Sequence, residues 1–374
     1  MQRRWLWFLT CFCVAVALSG LPSRALAQNE PPPGSVSTDQ SAVLDAVIYP
    51  GPPPGFNPLA ASDAELEVYG FPPRPDPSEG PAYRQWLRLV ASPQTRITDA
   101  KLLQTNIYNG PARITSTGLV TGNATAVTTS NWSGYAVTAA SGTFAKSGST
   151  VVGEFVVPLV QQAFGICDGT VWYSSQWVGF DGFNSNDVLQ AGTDADAYCA
   201  AGSPPKLLTA YDAWYEWAPE PEIIITSFAV HPGDLVGIEV WYTTASPPGH
   251  AYLLDHNTAQ SVSIGFNPPS GTVFSGNSAE WIEERPSVND IIQNLANYTS
   301  DASAADLATT PGKLGHLIYY RPGGKNPSGT TTYQITMTCP PWSPSTNCPS
   351  TQDISTPFLY GTGTIYFGNS PPSW

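Results

Sequence analysis

Charge is what this sequence has least of. Asp, Glu, Lys and Arg make up 12% of it, against roughly 25% in an average soluble domain. Cations are the scarcer half, 15 against 29 acidic residues, for a formal net charge of -14. The imbalance is local: residues 1–124 hold nine basic and nine acidic side chains, residues 125–374 six and twenty. A surface so short of cations repels a phosphate backbone, which argues against nucleic-acid partners. It also has few lysine–carboxylate pairs to lose in acid, and protonation would relieve its self-repulsion. Both fit work at low pH.

Histidine is nearly missing too, with His231, His250, His256 and His316 scattered along the chain. No G-x-S-x-G elbow, H-E-x-x-H helix, P-loop or dinucleotide fingerprint occurs. Serine and cysteine nucleophiles want a histidine base close by, so those classes recede. The cysteines lack companion histidines at metal-ligand spacing, so neither a metal nor a cofactor is expected.

Beyond the N-terminus no apolar run approaches the roughly 20 residues that span a bilayer. The first residues, MQRRWLWFLTCFCVAVALSGLPSRALAQ, have a basic start, an apolar run and a small-residue end. They read as a signal peptide over 1–27, cleaved after ALA at 25–27. The mature chain is then expected outside the cell or in a periplasm, without a membrane anchor and as a monomer. Cys11 and Cys13 leave with the signal, and Cys167, Cys199, Cys339 and Cys348 remain, an even number in an oxidising compartment. Cys167 with Cys199 brackets a strand pair and Cys339 with Cys348 closes a Pro-rich loop, so these are the expected disulfides.

Pro, Gly, Ser and Asn dominate residues 28 to about 60, which read as linker. YRQWLRLV and ITDAKLLQTNI are short helical candidates, and residues 105–130 are Thr- and Gly-rich with no obvious core. Residues 28–125 therefore read as a leader, either a pro-segment or a permanent N-terminal extension, and 126–374 as one large domain. From Asn131 the texture changes to successive strand candidates between turns, from GYAVTA, STVVGEFVVP and VWYSSQWVGFDG to TTYQITM and TGTIYFGN, with one helix-like stretch, VNDIIQNLANY. That pattern specifies an all-β antiparallel sandwich or barrel.

With histidine and metal chemistry set aside, carboxylates remain. Period-two geometry puts Glu280, Ile282 and Glu284 on one strand face, Asp212, Trp214 and Glu216 on another, and Gln190, Gly192 and Asp194 on a third. Such faces suit the concave side of a sandwich. They also suit a glycoside hydrolase or sugar-binding protein, with Glu216 and Glu280 as paired carboxyls.

Four blocks narrow the choice: NWSGYAV at 131–137, QWVGFDG with DVLQAGTD at 176–194, YDAWYEWAPE at 211–220 and NSAEWIEERP at 277–286. In this order and spacing they resemble the glutamic peptidases, or eqolisins, secreted acid endopeptidases. The resemblance implies a concanavalin-like β-sandwich of two curved antiparallel sheets, protein or peptide substrates and pepstatin insensitivity. It implies a catalytic pair of Gln190 and Glu280, with Trp132, Trp177, Asp181, Asp194, Trp214 and Glu216 around the substrate. Glu280 then acts as base toward water and acid toward the leaving amine, and Gln190 stabilises the oxyanion. An unperturbed glutamate titrates near about 4.3, which suits an acid enzyme.

Overall fold

The computed structural model describes residues 46–369 except 122–123, 162–166, 168–169, 201, 203, 299–300, 312–316, 323, 340–352 and 362. The expected signal peptide, the start of the Pro-rich stretch and Cys348 lie outside the described residues.

The leader holds β1 (Ala46–Ile48), helices α1 (Asp63–Val68) and α2 (Pro81–Val90), β2 (Thr95–Arg96), β3 (Leu102–Gln104), β4 (Ile107–Tyr108) and β5 (Ile114–Thr121). β6 (Ala124–Thr129) straddles its expected end. Then follow β7 (Trp132–Thr138), β8 (Ser149–Val156), β9 (Val160–Gln161), β10 (Val171–Tyr173), β11 (Ser175–Phe180), β12 (Val188–Ala200) and β13 (Lys206–Ala218). Next come β14 (Ile223–Ile225), β15 (Leu235–Tyr242), β16 (Gly249–Asp255), β17 (Gln260–Phe266) and β18 (Ser278–Glu284). Four two-residue strands, β19 (Ser287–Val288), β20 (Ile291–Ile292), β21 (Asn294–Leu295) and β22 (Asn297–Tyr298), precede the last five. These are β23 (Asp301–Pro311), β24 (Leu317–Tyr320), β25 (Thr331–Thr338), β26 (Asp353–Tyr360) and β27 (Thr364–Asn369).

The strands make an all-β sandwich. The front sheet runs β14-β13-β12-β11-β18-β7-β25 and the back sheet β17-β16-β15-β8-β23, each through antiparallel pairs. β26 pairs with β25 and β27, and β27 with β23, so the two sheets join along one side. Alternation decides what faces inward. Val178, Leu189, Ala191, Tyr211, Ala213 and Tyr215 of the front sheet share one buried cluster with Ile238, Val240, Leu253 and Ile264 of the back. Each large apolar side chain so buried contributes roughly 1.5–3 kcal/mol.

The described part of the stretch expected to be a leader is part of this packing. β1 pairs with β17, Ala46 opposite Phe266, so the linker expected to run to about residue 60 already contains a strand. Trp86, Leu89 and Val90 of α2, with Leu66 and Phe71, pack on Val152, Trp241, Tyr252 and Leu254 of the back sheet. Arg88 donates from Nε (2.5 Å) and an Nη (2.6 Å) to the buried Glu154 carboxylate on β8.

YRQWLRLV is helical as expected, but ITDAKLLQTNI is not: its Leu102–Gln104 pairs with the edge strand β14. Sheet pairing there overrides helix propensity. VNDIIQNLANY also departs from the helix reading, forming β20, β21 and β22. Asn289 and Asp290 sit there at φ 53° and 63°, a turn that a continuing helix cannot contain. The Cys167–Cys199 disulfide is present. Cys339 is disulfide-bonded as well, its expected partner Cys348 lying outside the described residues. Among the described residues no helix is long and apolar enough to cross a membrane.

Candidate active site

One transverse row of the front sheet carries the residues of interest. Glu216 on β13, Gln190 on β12, Gly179 on β11 and Glu280 on β18 are successive Cα partners, and Ala136 and Tyr333 continue the row on β7 and β25. Strand spacing puts the Gln190 and Glu280 backbones about 10 Å apart. Between them stands a residue without a side chain. A Cβ on Gly179 would lie 2.7 Å from the Leu189 carbonyl oxygen and 2.8 Å from Gln190 Cβ, so only glycine leaves that space open.

Glu280 is fully buried, and neither carboxyl oxygen has a hydrogen-bond partner of normal geometry. Burial pushes its carboxyl well above the ordinary range; the neighbouring Ser278 opposes the rise, and Asp181 and Asp187 add to it. The unperturbed value expected from sequence therefore does not describe this covered site. Gln190 is likewise buried, with Oε1 unpartnered.

The other expected substrate residues divide by what they hold. Trp132 and Trp177, packed edge to face at 5.0 Å, both donate their indole N–H to Glu284 Oε2, at 2.9 and 3.0 Å. Trp214 donates to Asp194 Oδ1 at 2.8 Å, which also accepts from Ser175 Oγ at 2.5 Å. Asp181, in the left-handed region at φ 71°, accepts the N–H groups of Gly276 and Asn277 at 2.8 Å each and so anchors the loop that leads into β18. Burial raises it to about 7. Burial also raises Asp194 to about 7 and Asp212 to about 6, and lifts Asp196, Glu216 and Glu222 well above the carboxylate range. This face is acidic in composition and becomes neutral in acid.

Leader residues 105–113 lie across the row. Glu222, just before β14, exchanges backbone hydrogen bonds with Thr105 and Ile107. The Asn109 N–H donates to Glu216 Oε2 at 3.0 Å, and the Asn109 carbonyl accepts from Gln190 Nε2. The Gly110 carbonyl accepts from Trp132 Nε1 at 3.0 Å and the Pro111 carbonyl from Asn131 Nδ2 at 3.1 Å. Ala112 N–H then donates to the Gly182 carbonyl at 3.0 Å, and Arg113 N–H to Asn131 Oδ1 at 2.8 Å. An extended strap thus covers the face, its backbone groups met one after another.

Four residues at this face were passed over or left undecided in the sequence. Gly179 lies inside the QWVGFDG block and Glu284 inside NSAEWIEERP, but neither carries an expected role there; Glu222 sits in no recognisable motif, and Asn109 lies in a stretch with no obvious core. Only the pairing of distant strands reveals them.

The Peptidase A4 family model matches residues 130–337. Aspergillopepsin-2 of Aspergillus niger is 29% identical over 177 residues, 43% of this chain and 60% of that protein. Scytalidopepsin B of Scytalidium lignicola is 33% identical over 109 residues, 29% of this chain and 38% of that protein. The chain thus spans less than two thirds of the length of either relative. A crystal structure of scytalido-glutamic peptidase with a peptide-based transition state analog aligns with a TM-score of 0.45 at 22% identity, covering 64% of this chain and 98% of that one.

Proposed function

The chain belongs to the Peptidase A4 family, the glutamic peptidases or eqolisins, and we propose that it is a secreted acid endopeptidase whose catalytic pair is Glu280 and Gln190. The observation that carries this reading is the peptide already on the row: the Asn109 carbonyl accepts from Gln190 Nε2 as a substrate carbonyl would.

In this mechanism a water enters the space above Gly179. Ionised Glu280 takes one proton from it, and the hydroxide oxygen bonds to the carbonyl carbon. The carbonyl oxygen becomes an oxyanion that accepts from Gln190 Nε2, a donor whose charge does not depend on pH. Glu280 then returns the proton to the leaving nitrogen as the C–N bond breaks. Glu280 must ionise first, and its burial opposes this. Displacing the strap admits water and lets the carboxyl fall back toward its ordinary range.

Residues 1–27 then serve export and 28–125 form a pro-segment that keeps the site covered. The Cys167–Cys199 disulfide supports an oxidising destination. The pair contains one carboxyl and one carboxamide rather than two aspartates, so pepstatin should not inhibit. The paired carboxyls of a glycosidase find less support, because Gln190 stands between Glu216 and Glu280 in the row.

The test is digestion of acid-denatured casein by the acid-incubated full chain, with and without pepstatin, beside Glu280→Gln and Gln190→Ala. Glu280→Gln should abolish cleavage, and Gln190→Ala should cost on the order of 100- to 1000-fold in rate. Both variants should keep the wild-type circular dichroism. Undiminished cleavage by Glu280→Gln would sink the assignment.

A further inference from the structure

Most polar contacts along the strap hold its backbone, and backbone contacts do not distinguish one sequence from another. Asn109 adds a side-chain contact of a different kind. Its Nδ2 donates to Glu222 Oε2 at 2.9 Å, while Thr105 Oγ1 donates to Glu222 Oε1 at 3.3 Å. Asn109 and Glu222 are both fully buried, and Asn109 Oδ1 has no hydrogen-bond partner.

The same residue whose side chain meets Glu222 presents its carbonyl to Gln190. The side-chain subsite and the reacting carbonyl are thus read on one residue, with Asn109–Gly110 as the bond in the reacting position. Resting on the peptidase reading above, we infer that Glu222 is a specificity-determining residue. It selects a carboxamide side chain, asparagine first, on the residue that supplies the carbonyl of the bond to be cut.

The chemistry favours an amide over the alternatives. An aliphatic side chain leaves the buried Glu222 oxygen without its donor, a loss of roughly tenfold or more in binding. Glu222 lies among other carboxyls, Asp194, Glu216, Asp196 and Asp212. Burial and those neighbours push Glu222 well above the carboxylate range. In acid it is therefore a neutral carboxyl, able to accept from the amide NH2 and to donate to the amide oxygen.

Fluorogenic peptides with the sequence of residues 105–113, TNIYNGPAR, test this when the position of Asn109 is varied to Gln, Asp, Leu and Lys. The enzyme is the acid-incubated full chain, as wild type, Glu222→Gln and Glu222→Leu, and cut positions are fixed by mass spectrometry. Wild type should cleave the Asn peptide after Asn, with kcat/KM about tenfold or more above the Leu peptide. Glu222→Gln keeps a carbonyl acceptor and should retain that ratio, while Glu222→Leu should bring it close to one.

Cleavage of casein and of these peptides without preference for Asn, a preference for Lys, or a ratio unchanged in Glu222→Leu would each overturn the inference and leave the peptidase reading intact. Absence of cleavage of casein, of the peptides and of the chain's own leader would overturn both. The wild-type peptide series decides the point even if Glu222→Leu does not fold.

Discussion

Gln190 and Glu280 face each other across a single residue, Gly179, to which each is the Cα partner from one flanking strand. The separation of the pair is therefore set by one strand of sheet and by the absence of one side chain.

Gly179→Ala should disturb that pair first. The new methyl would press on Gln190 Cβ and the Leu189 carbonyl, both under 3.0 Å away. We expect a stability loss of roughly 1–3 kcal/mol and a fall in kcat of about 100-fold, since an ångström of misplacement suffices for that. Steady-state kinetics beside a urea melt check it, and an unchanged kcat would count against the geometry.

Glu284 ties the row below to the sheet. Its carboxyl takes N–H donors from Trp132, Trp177 and Asn131 with no exposure to solvent. Glu284→Leu strands the Trp177 indole N–H and takes one acceptor from Trp132 and Asn131, which keep the Gly110 and Pro111 carbonyls, at an expected cost of roughly 1–3 kcal/mol in urea unfolding. Glu284→Gln keeps an acceptor oxygen and should lose less. Equal losses in the two variants would show that volume, not hydrogen bonding, matters there.

The buried carboxyls set how stability varies with pH. Burial raises Asp212 to about 6, Asp181 and Asp194 to about 7, and Glu239 to about 8. In the unfolded chain these groups titrate near about 4. Below that pH both states hold the protons and the folded state carries no penalty. Between about pH 4 and 8 the unfolded chain releases protons that the fold retains, so stability falls by about 1.4 kcal/mol per pH unit for each group in its window. Thermal melts should therefore give a higher Tm at pH 4 than at pH 7, and a rise toward neutrality would contradict this.

The long strands were legible because their pattern is plain. In β12 and β13, Leu189, Ala191, Tyr211, Ala213 and Tyr215 alternate with Gln190, Gly192, Asp194, Asp212, Trp214 and Glu216, and the two sets lie on opposite faces. β5 and β6 escaped notice because ITSTGLVT and ATAVTT show no strong alternation. Their strand state comes from pairing with each other and with β25. The strap was hidden for the same reason. Ile107 and Asn109 are almost wholly buried by contacts from far along the chain, such as Asn109 with Glu216, 107 residues away. The tryptophans were legible as residues of this face. That their indoles serve one carboxyl, Glu284, depends on register and not on any local motif.

The segment proposed as a leader meets the sandwich at more than one place: β1 and α2 at the back, and β3 at one end of the front sheet. A nick anywhere in residues 105–113 would consequently yield two pieces still clasped together, each retaining its own strands in the common sheets. Breaking the covalent bond and vacating the front face are then separate events with separate rates. After the cut, the N-terminal fragment is still held by Arg88 and Glu154.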